Sequence, residues 1–252
     1  MSTILVTGGT GTLGKPLVRR LRDAGHEVRV LSRHSDTHPV DLLTGAGLDR
    51  ATAGAEVIVH CASSPTGGDD KAVRNLIEAA RTAGVRHLVY ISIVGVDVVP
   101  LGYYKAKLRV ERRLEESGLG FTILRTTQFH DLALTLAGAL AKLPVALVPS
   151  GVRLQPIATD EVAARLAELA QAEPAGRVAD MGGPEVFELR DLVAARLRAG
   201  GKRRPIVNVR LAGKTYAGFR AGGNLTPERA VGKGTFGEFL AERAGSKAGS
   251  GA

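Results

Sequence analysis

The sequence predicts an α/β protein built on a doubly wound parallel sheet, with a small C-terminal lobe. Three observations carry this. Thr3–Val6 is an apolar run that breaks into glycines at Gly8, Gly11 and Gly14 and resumes at helical spacing. Strand-like and helix-like segments then alternate through the first half. The strands read as continuous apolar runs, as expected of strands covered on both faces by helices.

The opening stretch reads as strand, phosphate loop and helix. Gly8 permits a tight turn, Gly11 lets the backbone approach a pyrophosphate, and Gly14 lets the helix sit close on the sheet. The helix start then offers unpaired N–H groups and a positive dipole end to an anion. Pro16 suits the first turn, and Leu13, Leu17 and Leu21 form the buried stripe. Around this loop the expected dinucleotide contacts are Gly8, Thr10, Gly11, Thr12, Leu13 and Gly14.

The second strand, Glu27–Arg33, ends in Ser32-Arg33 followed by His34. An acid there would bind a ribose 2′-hydroxyl, whereas these groups suit a 2′-phosphate, so NADP(H) is expected over NAD(H). Val40–Leu42 falls where a third strand is due before a helical segment at 48–54, and Asp41 and Leu42 are candidates for contact with the adenine. Glu56–Ser63 reads as a buried strand whose small residues Cys61, Ala62 and Ser63 leave room for a cofactor. Val73, Leu76, Ile77 and Ala80 mark a helix that Gly84 closes.

Leu88–Ile93 is the next strand, bringing Ile91 and Ser92 to the same edge. In the helix after Pro100, Tyr103 and Lys107 share one face a turn apart. An ammonium near a phenol favours phenolate, and such a tyrosine passes a proton to or from a substrate oxygen, with Ser92 bonding that oxygen. Phe121–Arg125 forms a further strand, leading through Thr126 to a turn carrying the substrate-side candidates Gln128, Phe129 and His130. His130 also reads as a group at a helix N-terminus. The apolar stretch Leu132–Leu143 either lines a pocket or packs as a core helix.

Here the chain resembles the NmrA-like branch of the atypical short-chain dehydrogenases/reductases. The likeness rests on TGGTGTLG at 7–14, VLSR at 30–33, YISIVGVD at 90–97, GYYKAKLRVE at 102–111, TILRTTQFHD at 122–131 and PIATDEVA at 156–163. It implies a Rossmann-like NADP domain, a small substrate lobe, and Lys107 near the nicotinamide ribose. The resulting expectation is an NADP-dependent oxidoreductase acting on a small apolar carbonyl or quinone. Its alternative is a non-catalytic NADP(H)-binding redox sensor. The expected division is a core over 1–149, a lobe over 150–244 from which some elements return to the core, and a disordered tail over 245–252.

The lobe is read from a strand after Val145, a helix starting at Thr159-Asp160-Glu161, a second helix through Leu189–Leu197, and an edge strand over Ile206–Leu211. Thr235 and Glu238 form a capping box for a last short helix.

Composition bounds the rest. The chain has 252 residues, 44% hydrophobic, and a net charge of +9. Residues 196–252 hold 12 Lys+Arg against 3 Asp+Glu, so the whole excess lies there. The run Arg196, Arg198, Lys202, Arg203, Arg204 lacks interleaved aromatics and reads as a solvated basic face, with no nucleic-acid partner expected. The lone Cys61 cannot form an internal disulfide, and no histidine or cysteine spacing suggests a metal site. No signal-like N-terminus or long uncharged apolar run is seen, so a cytoplasmic monomer or homodimer, away from membranes, is expected.

Overall fold

The structure, a computed structural model, describes residues 1–32, 38–64 and 67–249, with side chains of the last helix to residue 243. In chain order the elements are β1 (Thr3–Thr7), α1 (Gly14–Asp23), β2 (Glu27–Leu31), α2 (Leu48–Thr52), β3 (Val57–His60), α3 (Asp69–Thr82), β4 (His87–Ile93), α4 (Gly102–Glu115) and β5 (Phe121–Thr126). There follow α5 (His130–Leu140), β6 (Ala146–Pro149), β7 (Arg153–Leu154), α6 (Thr159–Gln171), β8 (Gly176–Arg177), β9 (Phe187–Glu188), α7 (Leu189–Ala199), β10 (Ile206–Val209), α8 (Lys214–Arg220) and α9 (Phe236–Gly249).

The chain forms two compact units. The first comprises residues 1–92, 102–125 and 159–179, the second 93–101, 126–158 and 180–252. The boundary is not a single cut near residue 149. Helix α6 and strand β8 return to the first unit, where Thr122 pairs with Gly176 and Arg19 with Asp160 (3.2 Å). The carboxylate of Asp160 also meets Arg20, so the acids at the start of α6 have partners besides the helix dipole.

The first unit holds a sheet of order β2-β1-β3-β4-β5-β8. Strand β1 pairs in parallel with both β2 and β3, and β3 in parallel with β4. Ile4, Leu5 and Val6 of β1 and Val57, Ile58 and Val59 of β3 are fully buried, the signature of inner parallel strands. Strand order reverses between β1 and β3, which places a ligand crevice at their carboxyl ends. Helix α1 buries Leu17, Val18 and Leu21. Helix α3 ends as expected, with Gly84 at φ +69° and Val85 N–H bonding Ala80 O.

Val40–Leu42 does not form a strand. A single bridge joins Ser32 to Pro39, and the chain then turns: Asp41 Oδ1 accepts the Leu43 N–H (2.8 Å) and Asp41 O the Gly45 N–H (2.8 Å). The aspartate's own bond to the backbone two residues on favours a turn over a ladder.

The second unit packs α5, α7 and α9 around Ala133, Ala137, Val148, Leu192, Val193 and Phe236, beside the parallel pair β6–β10 and the antiparallel pair β7–β9. Helix α5 buries Ala133 and Ala137 but leaves Leu132 and Leu136 exposed. Arg204 of the basic run is not merely solvated. Its guanidinium donates to the carbonyls of Ala141 (2.9 Å), Lys142 (2.6 Å) and Leu143 (2.7 Å), closing the C-terminus of α5. The Thr235/Glu238 capping box is present, with Glu238 N–H bonding Thr235 Oγ1 (3.2 Å) and Thr235 N–H bonding Glu238 Oε2 (2.8 Å). Helical backbone runs to Gly249, so residues 245–249 continue α9 where a disordered tail was expected. Among the described residues no helix is long and apolar enough to cross a membrane, and no cluster of His, Cys, Asp or Glu could hold a metal ion.

Candidate cofactor groove and proton-transfer site

The groove of the first unit is built by the turn between β1 and α1. Gly8 has φ +69°, and a Cβ there would lie 2.8 Å from Ala62 N. A Cβ on Gly14 would run into Gly8 O, so α1 seats on the turn only with glycine at that position. The turn closes through Gly11 N–H to Gly8 O (3.0 Å), and no side chain caps the start of α1. Within α1, Lys15 N–H is taken by Gly11 O (3.1 Å) and Leu17 N–H by Leu13 O (3.3 Å), and Pro16 has none, so the N–H groups left for an anion are those of Leu13 and Gly14 at its very start. Leu13 is buried, so Leu13 can offer a ligand only its backbone.

A cavity of about 420 Å³ extends from this turn across the carboxyl ends of the strands. Of the expected cofactor contacts, Gly8, Thr10, Ser32, Asp41, Leu42, Ala62 and Ser63 line it, joined by His60 and Asp69, which the sequence did not single out. Arg33 and His34 lie outside the described residues. Cys61 sits at the end of β3 with its N–H on Thr7 O (3.1 Å), and burial pushes its thiol up to about 12, against reactivity.

Thr7 and His60 lock β1 to β3 at this edge. Thr7 Oγ1 accepts the Ala62 N–H (3.2 Å) and lies 2.7 Å from His60 Nδ1. The hydroxyl has a proton and a second lone pair besides the one that Ala62 engages, so this bond forms with either tautomer of the neutral ring. Burial, with the charge of Lys107 adding to it, holds His60 down at about 3, a neutral ring stacked on Tyr90.

Tyr103 and Lys107 do share a face of α4, but the chemistry differs from the expected phenolate. The Lys107 ammonium is buried, donates to Ile91 O (3.2 Å), and sits 4.8 Å from the centre of the Tyr90 ring and 6.0 Å from that of Tyr103. Burial lowers it to about 8, against the pull of Asp69 and Glu111. The Tyr103 phenol is instead held above its ordinary value by burial, with the Asp69 carboxylate adding to it and the Ser63 hydrogen bond working against it. It is a neutral phenol, suited to give a proton.

The phenol also has a hydrogen-bond partner that the sequence did not single out in this role. Ser92 is buried, and its Oγ has no hydrogen-bond partner among the described residues. Tyr103 Oη lies 2.9 Å from Ser63 Oγ, and Ser63 donates to Asp69 Oδ2 (2.8 Å). Gly67 and Gly68, at φ +101° and +96°, turn the chain so that an acid six residues after Ser63 comes back to it. A serine pair followed by an acid at a helix start was the signal available in the sequence. One turn beyond Lys107, Glu111 accepts both Arg125 Nε (2.8 Å) and Nη2 (2.6 Å), tying α4 to β5 in the interior.

The remaining candidates belong to the second unit. Thr126 bridges to Met181 and Phe129 to Ile157. Gln128 spends its side chain on structure, donating to Asn224 O (3.2 Å) and accepting the Gln155 N–H (3.2 Å). His130 is buried against Phe236 and Phe239, with ring centres 5.7 and 5.1 Å away. These bonds and this packing bury both side chains within that unit.

This fold and phosphate turn define a nucleotide-binding α/β protein, and residues 8–173 match the family described as NAD(P)H-binding. The chain belongs to that family, in keeping with its NmrA-like motifs. Among curated relatives, it is 34% identical over 146 residues to a (4-alkanoyl-5-oxo-2,5-dihydrofuran-3-yl)methyl phosphate reductase of Streptomyces griseus, covering 53% of this chain and 50% of that one. It is 27% identical over 215 residues to Quinone oxidoreductase 2 of Escherichia coli, covering 79% and 75%. The chain thus spans half the length of the first relative and three quarters of the second. An Escherichia coli NADPH-dependent quinone oxidoreductase, solved with NADPH, superposes with a TM-score of 0.78 over 95% of this chain and 99% of that one; at 22% identity this likeness concerns the fold.

Proposed function

We propose that this chain is an NADP(H)-dependent oxidoreductase that reduces a small apolar carbonyl or quinone. The observation that carries the reading is a neutral phenol, Tyr103, in hydrogen-bond contact (2.9 Å) with Ser63 of the groove that starts on the phosphate turn. The residues present fit a dinucleotide: the glycines at 8 and 14 leave no room for side chains, and α1 starts without a cap. When bound, NADPH supplies a hydride. The N–H groups of Leu13 and Gly14 would hold the pyrophosphate and Ser32 the adenosine ribose, and Arg33, next in the sequence, has the charge suited to a 2′-phosphate. Lys107, kept at the carboxyl edge by Ile91 O, anchors the nicotinamide ribose. Tyr103 gives the proton from its Oη to the substrate oxygen. The buried Ser92 hydroxyl is a further donor on β4 for that oxygen. The names of the two reductase relatives support reduction over sensing, and that of the second supports the quinone class.

The test is NADPH oxidation followed by absorbance, with the purified chain and a panel of quinones, aldehydes and ketones. Turnover of at least one class, with NADPH preferred over NADH, is expected. Tight NADPH binding without turnover across the panel would favour the redox-sensor reading instead.

A further inference from the structure

Ser63 has one O–H, and Asp69 takes it. The Asp69 carboxylate accepts Ser63 Oγ–H on Oδ2 (2.8 Å) and Ser64 N–H on Oδ1 (2.8 Å), and the residue is buried. A carboxylate offers no proton in return. The 2.9 Å contact between Ser63 and Tyr103 is therefore made by the phenol O–H donating to Ser63 Oγ.

We propose that Asp69 is a positioning residue that acts through Ser63, committing the serine as an acceptor so that Tyr103 keeps its proton until a substrate oxygen competes for it. This rests on the reading of Tyr103 as the proton donor. The charged and titratable groups around the phenol are Asp69 from α3, Tyr90 from β4 and Lys107 from its own helix, with His60 and Cys61 facing Lys107 from the end of β3. Asp69 opposes a phenolate both by its charge and by turning the Ser63 proton away from Tyr103 Oη.

In the proton step, the O–H bond at Tyr103 breaks and one forms on the substrate oxygen, which has already gained its electron pair with the hydride. Ser63 then swings its O–H from Asp69 to the phenolate. Water returns a proton to Tyr103, and Ser63 goes back to Asp69. Asp69 thus resists ionisation of the resting phenol, while Ser63 provides the phenolate with a donor once the proton has left.

Asp69→Asn isolates the device. The amide oxygen still accepts Ser64 N–H, but the amide nitrogen now donates to Ser63 Oγ and frees the serine O–H for Tyr103. The measurement is a 13C NMR titration of the full chain, without cofactor, labelled at tyrosine Cζ. The chain has four tyrosines, and Tyr103→Phe assigns the signal. Asp69→Asn is expected to move the Tyr103 midpoint down by about one pH unit or more. In a Ser63→Ala background, the same change should lose most of that shift, because the route through the serine is gone. An unmoved midpoint would overturn the proposal, as would equal shifts in both backgrounds, which would show a charge acting through space alone. Tyr103→Phe that keeps full turnover would refute the reading of Tyr103 while leaving these titrations to be judged by themselves.

Discussion

Thr7 Oγ1 and His60 Nδ1 meet at 2.7 Å where strand order reverses, and this bond fixes the rim on which the groove is built. Thr7→Val removes the partner hydroxyl and leaves a buried ring nitrogen unsatisfied, which should cost about 1–3 kcal/mol of stability by urea unfolding. The neutral state of His60 also sets an acid limit. Its folded value of about 3 lies below the ordinary 6.5, so between these the unfolded chain binds the extra proton. Stability from His60 is therefore fully present above pH 6.5 and falls as pH drops towards 3, by up to about 1.4 kcal/mol per pH unit. Unfolding of His60→Phe across this range should lack that component; an unchanged slope would contradict the assignment.

The pairing of Glu111 with Arg125 is buried on both sides, with side-chain exposures of 2% and 5%. Glu111→Ala leaves an arginine charge without compensation and should destabilise by about 3–5 kcal/mol. Replacing both, Glu111→Leu with Arg125→Met, should recover much of that loss. A single replacement costing less than about 1 kcal/mol would show that the pair is solvated.

NADP(H) preference rests on the end of β2. Arg33→Ala should weaken NADPH binding roughly tenfold or more, the loss of a charged contact of about 1.5–3 kcal/mol, and leave NADH binding nearly unchanged. Calorimetric titration of both cofactors decides it. Equal affinity of the native chain for the two would refute this preference.

What was legible in the sequence is what backbone spacing dictates. Gly8, Gly11 and Gly14 are set by the path of one turn, and Gly84 by the end of one helix. The Tyr103–Lys107 face follows from α-helical periodicity alone. Depth was not legible: four residues of spacing do not reveal that Lys107 is drawn to Ile91 O, 6.0 Å from the Tyr103 ring centre, and so leaves burial to decide the phenol. Nor was the contact of Ser63 with Tyr103 and Asp69, because it depends on tertiary packing and on the positive φ of Gly67 and Gly68 before Asp69. Gln128 was placed correctly in a turn, but its partners lie 27 and 96 residues away, beyond any local pattern.

The most direct measurement compares native protein with Tyr103→Phe, using the best substrate from the panel and an independent NADPH titration. If Tyr103 supplies the proton, the variant keeps its NADPH affinity and loses turnover by about 10²–10⁴. Tyr104→Phe, at the neighbouring buried tyrosine, serves as the control and should retain turnover. Unchanged turnover in Tyr103→Phe would contradict the account and move the proton source to water or another group.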